Sequence, residues 1–416
     1  MAKLAINGGP KTIDRQLGKS WPISGDMERK LLMEVLESGI WWRGGENAEA
    51  SKVFQFETAF AKFQTAKYGV ACTNGTQAIE LALKAVGIKP GDEVIVPAAT
   101  FVATATACIL VNAVPIVVDV DPGNYQIDPA AIEAAITERT TGIIPVHYGG
   151  YPADMGAINA IAQRHGLFVI EDSAHAHGSI WRDRGCGSIG DIGAFSLQMG
   201  KTLTSGEGGI CLTDDDKVAD KLFSFHHIGR FKDRPFYEHH LVASNLRMTE
   251  FQAAVLLGGL SRLEEQANTR DQNARYLEDG LRQIEGVSPI ERNEWVTRWN
   301  FYFYHFKFHS EGFGGLTLGQ FRRALAAEGL GCGSGHLAPI QHNPLFTERN
   351  WGPACFGDNE PPDYSKMGTP QCQRIYEQEG CSLGHRQFLG ERADMDLMLE
   401  AIQKVRDNVD EVPREG

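Results

Sequence analysis

Several features that would place this chain in other classes of protein are missing from its sequence. Nowhere do eighteen uninterrupted apolar residues occur, and the N-terminal stretch has no sustained apolar segment of the kind that directs secretion. We therefore predict a cytoplasmic protein with no membrane contact. Positive charge is also scarce, because 40 Lys and Arg stand against 53 Asp and Glu, for a formal net charge of −13. A surplus of negative charge repels phosphodiester backbones, so we expect no nucleic-acid partner.

Motifs typical of metal and dinucleotide sites are absent as well. The eight cysteines include no C-x-x-C pair, which predicts scattered reduced thiols rather than a disulfide framework or a zinc site. Neighbouring histidines such as His226 and His227 lack the i, i+4 spacing of metal ligands, so we predict no metal site. No G-x-G-x-x-G follows a first strand, which argues against a nucleotide-binding oxidoreductase.

What the chain does contain is a regular alternation of helices and short apolar strands, with 42% hydrophobic and 22% charged residues overall. Strands are predicted at 93–97, 115–119, 142–147, 167–172, 192–195 and 299–308. Helices are predicted after Asp26 and after Asp128, and at 76–85, 101–110, 155–164, 249–264, 318–328 and 394–409, with a long loop at 350–380. This order predicts an α/β fold with a mainly parallel central sheet covered by helices on both faces. We assign residues 1–265 to a large domain and residues 266–416 to a smaller C-terminal α/β domain.

Residues that follow the predicted strands are expected to share one crevice. In a parallel sheet, ligands bind outside the carboxyl ends of the strands. Thr100, Phe101, His147, Asp172 and Ser196 all come at or just after such ends, so we expect them to converge although about a hundred residues separate the first from the last. The lysine five residues beyond Ser196 follows directly behind.

That lysine, Lys201, lies in the stretch Ala194–Gly209, where an apolar run ends in a hydroxyl and glycines follow. An amine among apolar neighbours loses hydration, which favours its neutral, nucleophilic form and suits Schiff-base chemistry. The local composition is equally typical of a surface lysine in a glycine-rich loop, so this stretch alone leaves both interpretations open.

Two further features suggest an anionic cofactor. Thr73–Ala78 opens a helix with small and polar residues, so its free N–H groups favour a phosphate, although an ordinary N-cap has the same composition. Asp172 ends an apolar strand, where a carboxylate must be solvated, paired or functional. A salt bridge to the protonated nitrogen of a pyridoxal ring is one function that fits. Phe101 could stack on such a ring or belong to the core.

Several stretches taken together are similar to a known family. They occur in the order Glu171–Gly178, Gly190–Ser196, Lys201, Gly206–Gly209 and Asn245–Ala254. The combination resembles the DegT/DnrJ/EryC1/StrS aminotransferases, which are pyridoxal-phosphate enzymes of fold type I. The similarity extends from Asn7 to Val405 and so covers nearly the whole chain.

The resemblance implies roles for individual residues. Lys201 would carry pyridoxal 5'-phosphate as a Schiff base and move the proton between substrate and cofactor, and Asp172 would pair with the pyridine nitrogen. The remaining implied cofactor contacts are His175 and Phe101 at the ring, the backbone of Gly75, Thr76 and Gln77 with the Ser196 hydroxyl at the phosphate, and Asn245 at the phosphate of the neighbouring subunit in a homodimer.

The resemblance also implies the reaction, which moves an amino group from glutamine or glutamate to a ketone. Asn7–Pro10, the loop Trp41–Gly44 and the spacing of Gln198 look more like the branch that aminates keto-inositols for aminocyclitol antibiotics. A nucleotide-linked or free keto-sugar is the alternative acceptor. Dehydratases of the family resemble this chain but have histidine at the lysine position, so Lys201 argues against that activity. A non-catalytic regulatory protein would need an additional DNA-binding or interaction domain, which we do not predict here. Residues that could bind substrate are Arg43, Arg230, Arg247, His336 and His342.

Three positions depart from the family pattern near the expected substrate pocket. They are Leu197–Gly200, Thr202 and Ala243–Ser244. None of them removes a group with an implied catalytic role, but all affect which substrate would fit.

Overall fold

The computed structural model describes residues 3–43 and 50–414. Its strands are β1 Tyr68–Cys72, β2 Glu93–Pro97, β3 Val114–Val118, β4 Thr140–Ile143, β5 Phe168–Asp172, β6 Ile180–Trp181, β7 Arg184–Gly185, β8 Ile192–Ser196, β9 Gly209–Thr213, β10 Val287–Pro289, β11 Val296–Arg298, β12 Phe303–Phe308 and β13 Gly380–Gly384. Its α-helices are α1 Asp26–Ser38, α2 Lys52–Phe63, α3 Gly75–Val86, α4 Ala103–Leu110, α5 Pro129–Ala135, α6 Met155–His165, α7 Asp216–His226, α8 Glu250–Leu281, α9 Leu318–Ala327, α10 Pro344–Thr347, α11 Pro370–Arg374 and α12 Arg392–Asp407.

Seven of these strands form one central sheet in the order β1-β9-β8-β5-β4-β2-β3. All neighbouring pairs from β8 to β3 are parallel, whereas β9 is antiparallel to both β1 and β8. Six strands therefore point the same way, which confirms the mainly parallel sheet. Two small three-stranded sheets, β10-β12-β13 and β11-β6-β7, accompany it.

The register of β9 places two distant segments side by side. Gly209 pairs with Cys72 of β1 on one side and with Ser196 of β8 on the other. The loop after β1 and the end of β8 therefore meet across one residue of β9. This arrangement puts the N-terminus of α3 beside Ser196.

Local sequence accounts for most helix starts. Asn74 caps α3 through its side-chain oxygen, which accepts a hydrogen bond from the Gln77 amide, and Asp128 caps α5 as predicted. Thr249 and Gln252 form a reciprocal capping box at the start of α8. The prediction differs slightly at α1, where Asp26 is the first helical residue and Gly25 takes the cap position.

Other segments differ from the prediction because distant residues bind them. The strand predicted at 299–308 begins only at Phe303, since the Trp299 and Asn300 amides donate to the side chains of Asp271 and Ser179 instead of to a neighbouring strand. The predicted loop 350–380 contains α11, whose first turn is capped by both oxygens of Asp119. A cap some 250 residues away in sequence leaves no local signal.

The predicted division into residues 1–265 and 266–416 remains a prediction. Its boundary falls inside α8, which continues unbroken to Leu281. The N-terminal segment bonds to the C-terminal part of the chain, because Glu328 accepts hydrogen bonds from the amides of Ala5 and Thr12. The helix α8 and the hydrogen bonds of the N-terminal segment therefore both cross the predicted boundary.

Three further observations concern features that the sequence lacks. All eight cysteines are unpaired. Within residues 3–43 and 50–414, no helix combines the length and apolar character needed to cross a membrane, and no cluster of three or more His, Cys, Asp or Glu side chains could bind a metal ion. Gly44, the last residue of the predicted Trp41–Gly44 loop, lies outside the described residues.

Candidate active site

Asp172 ends β5 at the carboxyl edge of the central sheet and is almost fully buried, at 5% exposure. The Thr104 hydroxyl donates to its Oδ2 at 2.7 Å, and the Ala174 amide donates to its Oδ1 at 3.2 Å. Burial raises the pKa of Asp172, while these two hydrogen bonds act in the opposite direction. No described Lys, Arg or His forms an ion pair with this carboxylate, so it is a buried acceptor still suited to a cationic partner.

Lys201 is held in a tight turn after β8 and is 9% exposed. Its amide donates to the Gln198 carbonyl oxygen at 2.9 Å, and its Nζ lies 4.3 Å from the ring centroid of Tyr302. Burial lowers the pKa of Lys201 to about 8, and the negative charge of Asp172 partly opposes this shift. Roughly a fifth of the amine is therefore neutral near pH 7.4, far more than in a hydrated surface lysine.

His175 lies with aromatic side chains beside these two groups. Its ring centroid is 4.6 Å from that of Tyr302 and 5.7 Å from that of His336, to which it is nearly parallel. The Gly149 amide donates to Nδ1 of His175 at 3.3 Å. Burial, followed by the charge of Lys201, holds the pKa of His175 well below its usual range. The imidazole is thus neutral and carries its proton on Nε2.

Phe101 reaches this cluster from the loop after β2. Its ring centroid lies 5.3 Å from that of His336, and the side chain is 52% exposed. It is therefore at the mouth of the crevice and not in the core. His336 itself is half-buried, its amide donates to the Tyr148 hydroxyl, and burial together with Lys201 lowers its pKa to about 4.

The N-terminus of α3 packs tightly against Ser196. A Cβ placed on Gly75 would lie 2.5 Å from the Ser196 Cβ, so this position accepts only glycine without a shift of the backbone. The Gln77 amide is already bound by the Asn74 cap. The amides of Gly75 and Thr76 belong to the first turn of α3 and, within the part of the chain that the structure describes, no acceptor binds them. These two amides and the Ser196 hydroxyl are neighbouring hydrogen-bond donors.

The structure does not bring the other predicted residues into this cluster. The side chain of His147 is fully buried and bonds to Glu171 of β5 and to the Ala153 amide, so it stabilises β5 and does not face the crevice. Arg43 pairs with Glu57 at 2.8 Å. Arg230 lies over Phe236, Arg247 lies over Trp42, and His342 is exposed on a short 3-10 turn. Asn245 is exposed and bridges His227 through its backbone.

Three site residues were not identified from the sequence. Thr104 bonds the carboxylate, Tyr302 faces the lysine, and Tyr148 holds the backbone of His336. The only available signal for Thr104 was its position one helical turn after Thr100, whose hydroxyl lies 2.7 Å from that of Thr104. Tyr302 lies in the aromatic run 299–308, which the sequence predicts as a strand, and this pattern does not show that its side chain faces the lysine.

Three features lie at one sheet edge: a buried lysine with a lowered pKa, a buried carboxylate without an ion-pair partner among the described residues, and free amides at a helix N-terminus. This combination is typical of α/β enzymes that use a lysine for covalent chemistry. The comparison with protein-family models is more specific. Residues 22–355 match the DegT/DnrJ/EryC1/StrS aminotransferase family, and the chain belongs to that family. It is an aminotransferase by class.

Individual relatives are similar over nearly their full length. A putative L-glutamine:3-amino-2,3-dideoxy-scyllo-inosose aminotransferase of Micromonospora echinospora is 38% identical and 98% of each chain is covered. An L-glutamine:scyllo-inosose aminotransferase of Streptomyces griseus is 38% identical, with 99% of this chain and 100% of the relative covered. The crystal structure of 3-amino-5-hydroxybenzoic acid synthase superposes with a TM-score of 0.83 at 35% identity, covering 93% of this chain and 98% of the other.

Proposed function

We propose that the protein transfers an amino group from glutamine, or from glutamate, to the ketone of a cyclitol, using pyridoxal 5'-phosphate. The observation that carries this proposal is the buried Lys201, whose pKa of about 8 leaves part of the amine neutral near the buried carboxylate of Asp172. Such an amine can bind a carbonyl covalently and afterwards transfer a proton.

The residues present fit this cofactor. A phosphate suits the donors formed by the Ser196 hydroxyl and the free amides of Gly75 and Thr76 at the N-terminus of α3. The Gln77 amide, occupied by Asn74, contributes through the helix dipole instead. A pyridinium nitrogen suits Asp172, because a buried carboxylate without a cationic partner is unfavourable. When bound, the cofactor supplies an electron sink that stabilises negative charge at the substrate carbon.

The chain's own residues supply positioning and proton transfer. Asp172 holds negative charge at the carboxyl end of β5, and Thr104 keeps that carboxylate in one orientation. His175, neutral and packed against Tyr302, presents a flat face and not a charge. Lys201 accepts and returns a proton through Nζ, for which a pKa near the working pH is optimal. Burial of these groups excludes water from the amine.

A cyclitol acceptor is supported by the relatives named inosose aminotransferases, at 38% identity over almost the whole chain. A glutamine donor is supported by the same names. Of the five candidate substrate-binding residues, His336 is the one that lies beside Lys201 and His175, and its neutral ring suits hydroxyl groups better than a carboxylate.

The acceptor can be tested with a half-reaction. Cofactor-loaded enzyme is first converted to the amine-bearing form with glutamine, freed of donor, and then offered either a keto-inositol or a nucleotide-linked keto-hexose. We expect amination of the keto-inositol, detected as the amino-cyclitol by mass spectrometry. Amination of the nucleotide sugar alone would show that the alternative acceptor is the correct one. Enzyme incubated without glutamine serves as the control.

A homodimer with a shared site is supported by the surface around Asn245. Large apolar side chains are exposed there and along the end of α1, including Leu36 at 50%, Trp41 at 50% and Trp42 at 41%. Trp42 lies under Arg247, two residues from Asn245. An apolar surface of this kind is typical of a subunit interface.

Subunit exchange tests this arrangement. Lys201→Ala and Asn245→Ala are expected to be inactive or nearly so as separate proteins, because each lacks one component of every site. Mixed hybrids should recover part of the activity, since one of their two sites contains both native residues. Exchange demonstrated by mass-tagged subunits without any recovery would contradict a site shared between subunits.

A further inference from the structure

The turn that carries Lys201 is bound by side chains from distant parts of the chain. The Trp21 indole Nε1–H donates to the Met199 carbonyl oxygen at 3.0 Å. The His385 Nε2 lies 3.1 Å from the Gly200 carbonyl oxygen. The two carbonyl groups immediately before Lys201 are therefore both hydrogen-bonded to side chains, one from the N-terminal segment and one from the segment after β13.

Arg270, in the middle of α8, determines which nitrogen of His385 carries the proton. Its Nη2 lies 3.2 Å from Nδ1 of His385, and its Nε lies 3.4 Å from the His385 carbonyl oxygen. A guanidinium can only donate, so Nδ1 accepts and the proton must be on Nε2. That is the tautomer needed to donate to the Gly200 carbonyl oxygen. Burial, followed by the positive charge of Arg270, holds the pKa of His385 well below its usual range, so the ring stays neutral.

Arg270 is itself in an uncommon environment. It is fully buried, and no carboxylate of residues 3–43 or 50–414 forms an ion pair with it, whereas nearby Arg292 binds both Glu278 and Asp271. Its remaining contacts are the Asn300 Oδ1 at 3.2 Å and the ring of Trp21, 5.6 Å from the guanidinium carbon. Burying an unpaired guanidinium is costly, so a purely space-filling role is better served by an apolar side chain.

We infer that Arg270 is a positioning residue for the reaction: by fixing the tautomer of His385 and packing on Trp21, it holds the two carbonyl groups that precede Lys201 and thereby orients the lysine. This inference rests on the proposed role of Lys201. Two contacts of Arg270, His385 and Trp21, bond directly to the turn. Its third contact is Asn300, whose amide group donates to the His177 carbonyl oxygen. His177 in turn lies 2.9 Å from the Ser196 carbonyl oxygen.

Three substitutions test the inference in the full-length, cofactor-loaded enzyme. His385→Leu removes both the acceptor for Arg270 and the donor to Gly200. Arg270→Lys keeps a positive charge but loses the planar fork that fixes the tautomer. His385→Gln keeps an amide donor near the position of Nε2. Arg275→Lys, on the same helix and 49% exposed, is the matched control.

We expect His385→Leu to lower kcat about 100-fold and Arg270→Lys about 10-fold, because an error near 1 Å in a reacting group costs on the order of 10²-fold. KM for donor and acceptor should change less than about threefold, since both side chains are buried and their hydrogen bonds go to other protein groups. His385→Gln should recover most of the loss, and Arg275→Lys should behave as the wild type.

A second measurement does not depend on activity. In the cofactor-free protein, amide hydrogen exchange of the segment 197–203 should be faster in His385→Leu and Arg270→Lys than in the wild type, His385→Gln or Arg275→Lys. If His385→Leu does not fold, Arg270→Lys with the exchange measurement decides the question.

Three results would overturn the inference. They are kcat within about twofold of wild type in Arg270→Lys, unchanged exchange of segment 197–203 in that variant, and no recovery in His385→Gln relative to a folded His385→Leu. A failure of the proposed function gives a different result. Full activity of Lys201→Ala would show that the lysine is not required for the reaction, whatever the activities of the Arg270 variants.

Discussion

Replacing Lys201 with alanine is expected to abolish transamination, with a fall in kcat of roughly 10⁴-fold or more. The substitution removes the amine that, in the proposed function, would bind the cofactor covalently, and proton transfer by a positioned side chain alone contributes about 10²–10⁴-fold. Borohydride reduction of the loaded wild-type enzyme followed by peptide mapping should label Lys201. A label on another lysine peptide would disprove the assignment.

Lys201→Arg separates the charge of this side chain from its chemistry. Arginine keeps a cation opposite Asp172 but stays protonated, so it offers no neutral amine. It should be as inactive as Lys201→Ala while binding anions at least as well. If Lys201→Arg retained substantial activity, the positive charge and not the amine would be the functional feature.

The lowered pKa can be measured directly in the cofactor-free protein. Burial favours the neutral amine, so the reactive form is present above the pKa of about 8 and is lost as the pH falls through that value. Competitive labelling with a trace acylating reagent should give a half-maximal rate for Lys201 near pH 8. A midpoint near 10.5 would mean that the amine is hydrated as in a surface lysine.

Asp172→Asn is expected to produce the second largest effect, a loss of about 100-fold in kcat/KM with weaker retention of the cofactor. The amide has almost the same shape as the carboxylate but no charge, and a hydrogen bond to a charged group contributes about 1.5–3 kcal/mol. Steady-state kinetics and equilibrium dialysis of the cofactor measure the two quantities. Rates close to wild type would show that the carboxylate has no cationic partner during the reaction.

Thr104→Val is the matched control for Asp172, because it removes a hydroxyl that donates to the carboxylate and leaves the charge in place. The loss at neutral pH should be smaller than in Asp172→Asn. Burial already raises the pKa of Asp172, and losing the Thr104 hydrogen bond raises it further. The charged carboxylate exists above this pKa and is lost as the pH falls, so the acid limb of the kcat/KM profile should move to higher pH. A shift to lower pH would contradict this coupling.

The structure confirms two strand ends that the sequence predicted at the candidate site. Asp172 and Ser196 each terminate an apolar run, and parallel strands bring such ends to one edge. His147 also lies at this edge through its backbone, because its amide donates to the Asp172 carbonyl oxygen, but its side chain bonds to Glu171 and the Ala153 amide and does not join the crevice. The apolar pattern shows where a strand lies, whereas the direction of a side chain just past the strand depends on its tertiary contacts.

The sequence by itself determined the alternation of strands and helices, the capped start of α3 and the glycine-rich turn around Lys201, because these depend on local hydrogen bonding and apolar periodicity. Only the tertiary structure decided which groups surround the lysine. The neighbours of this turn come from segments about 70 to 190 residues away from it in sequence. They are Tyr302, Thr104 and the contacts that run from Arg270 through His385. Their effects arise from burial, which lowers the pKa of Lys201 and raises that of Asp172, and burial depends on packing between segments that no local pattern encodes.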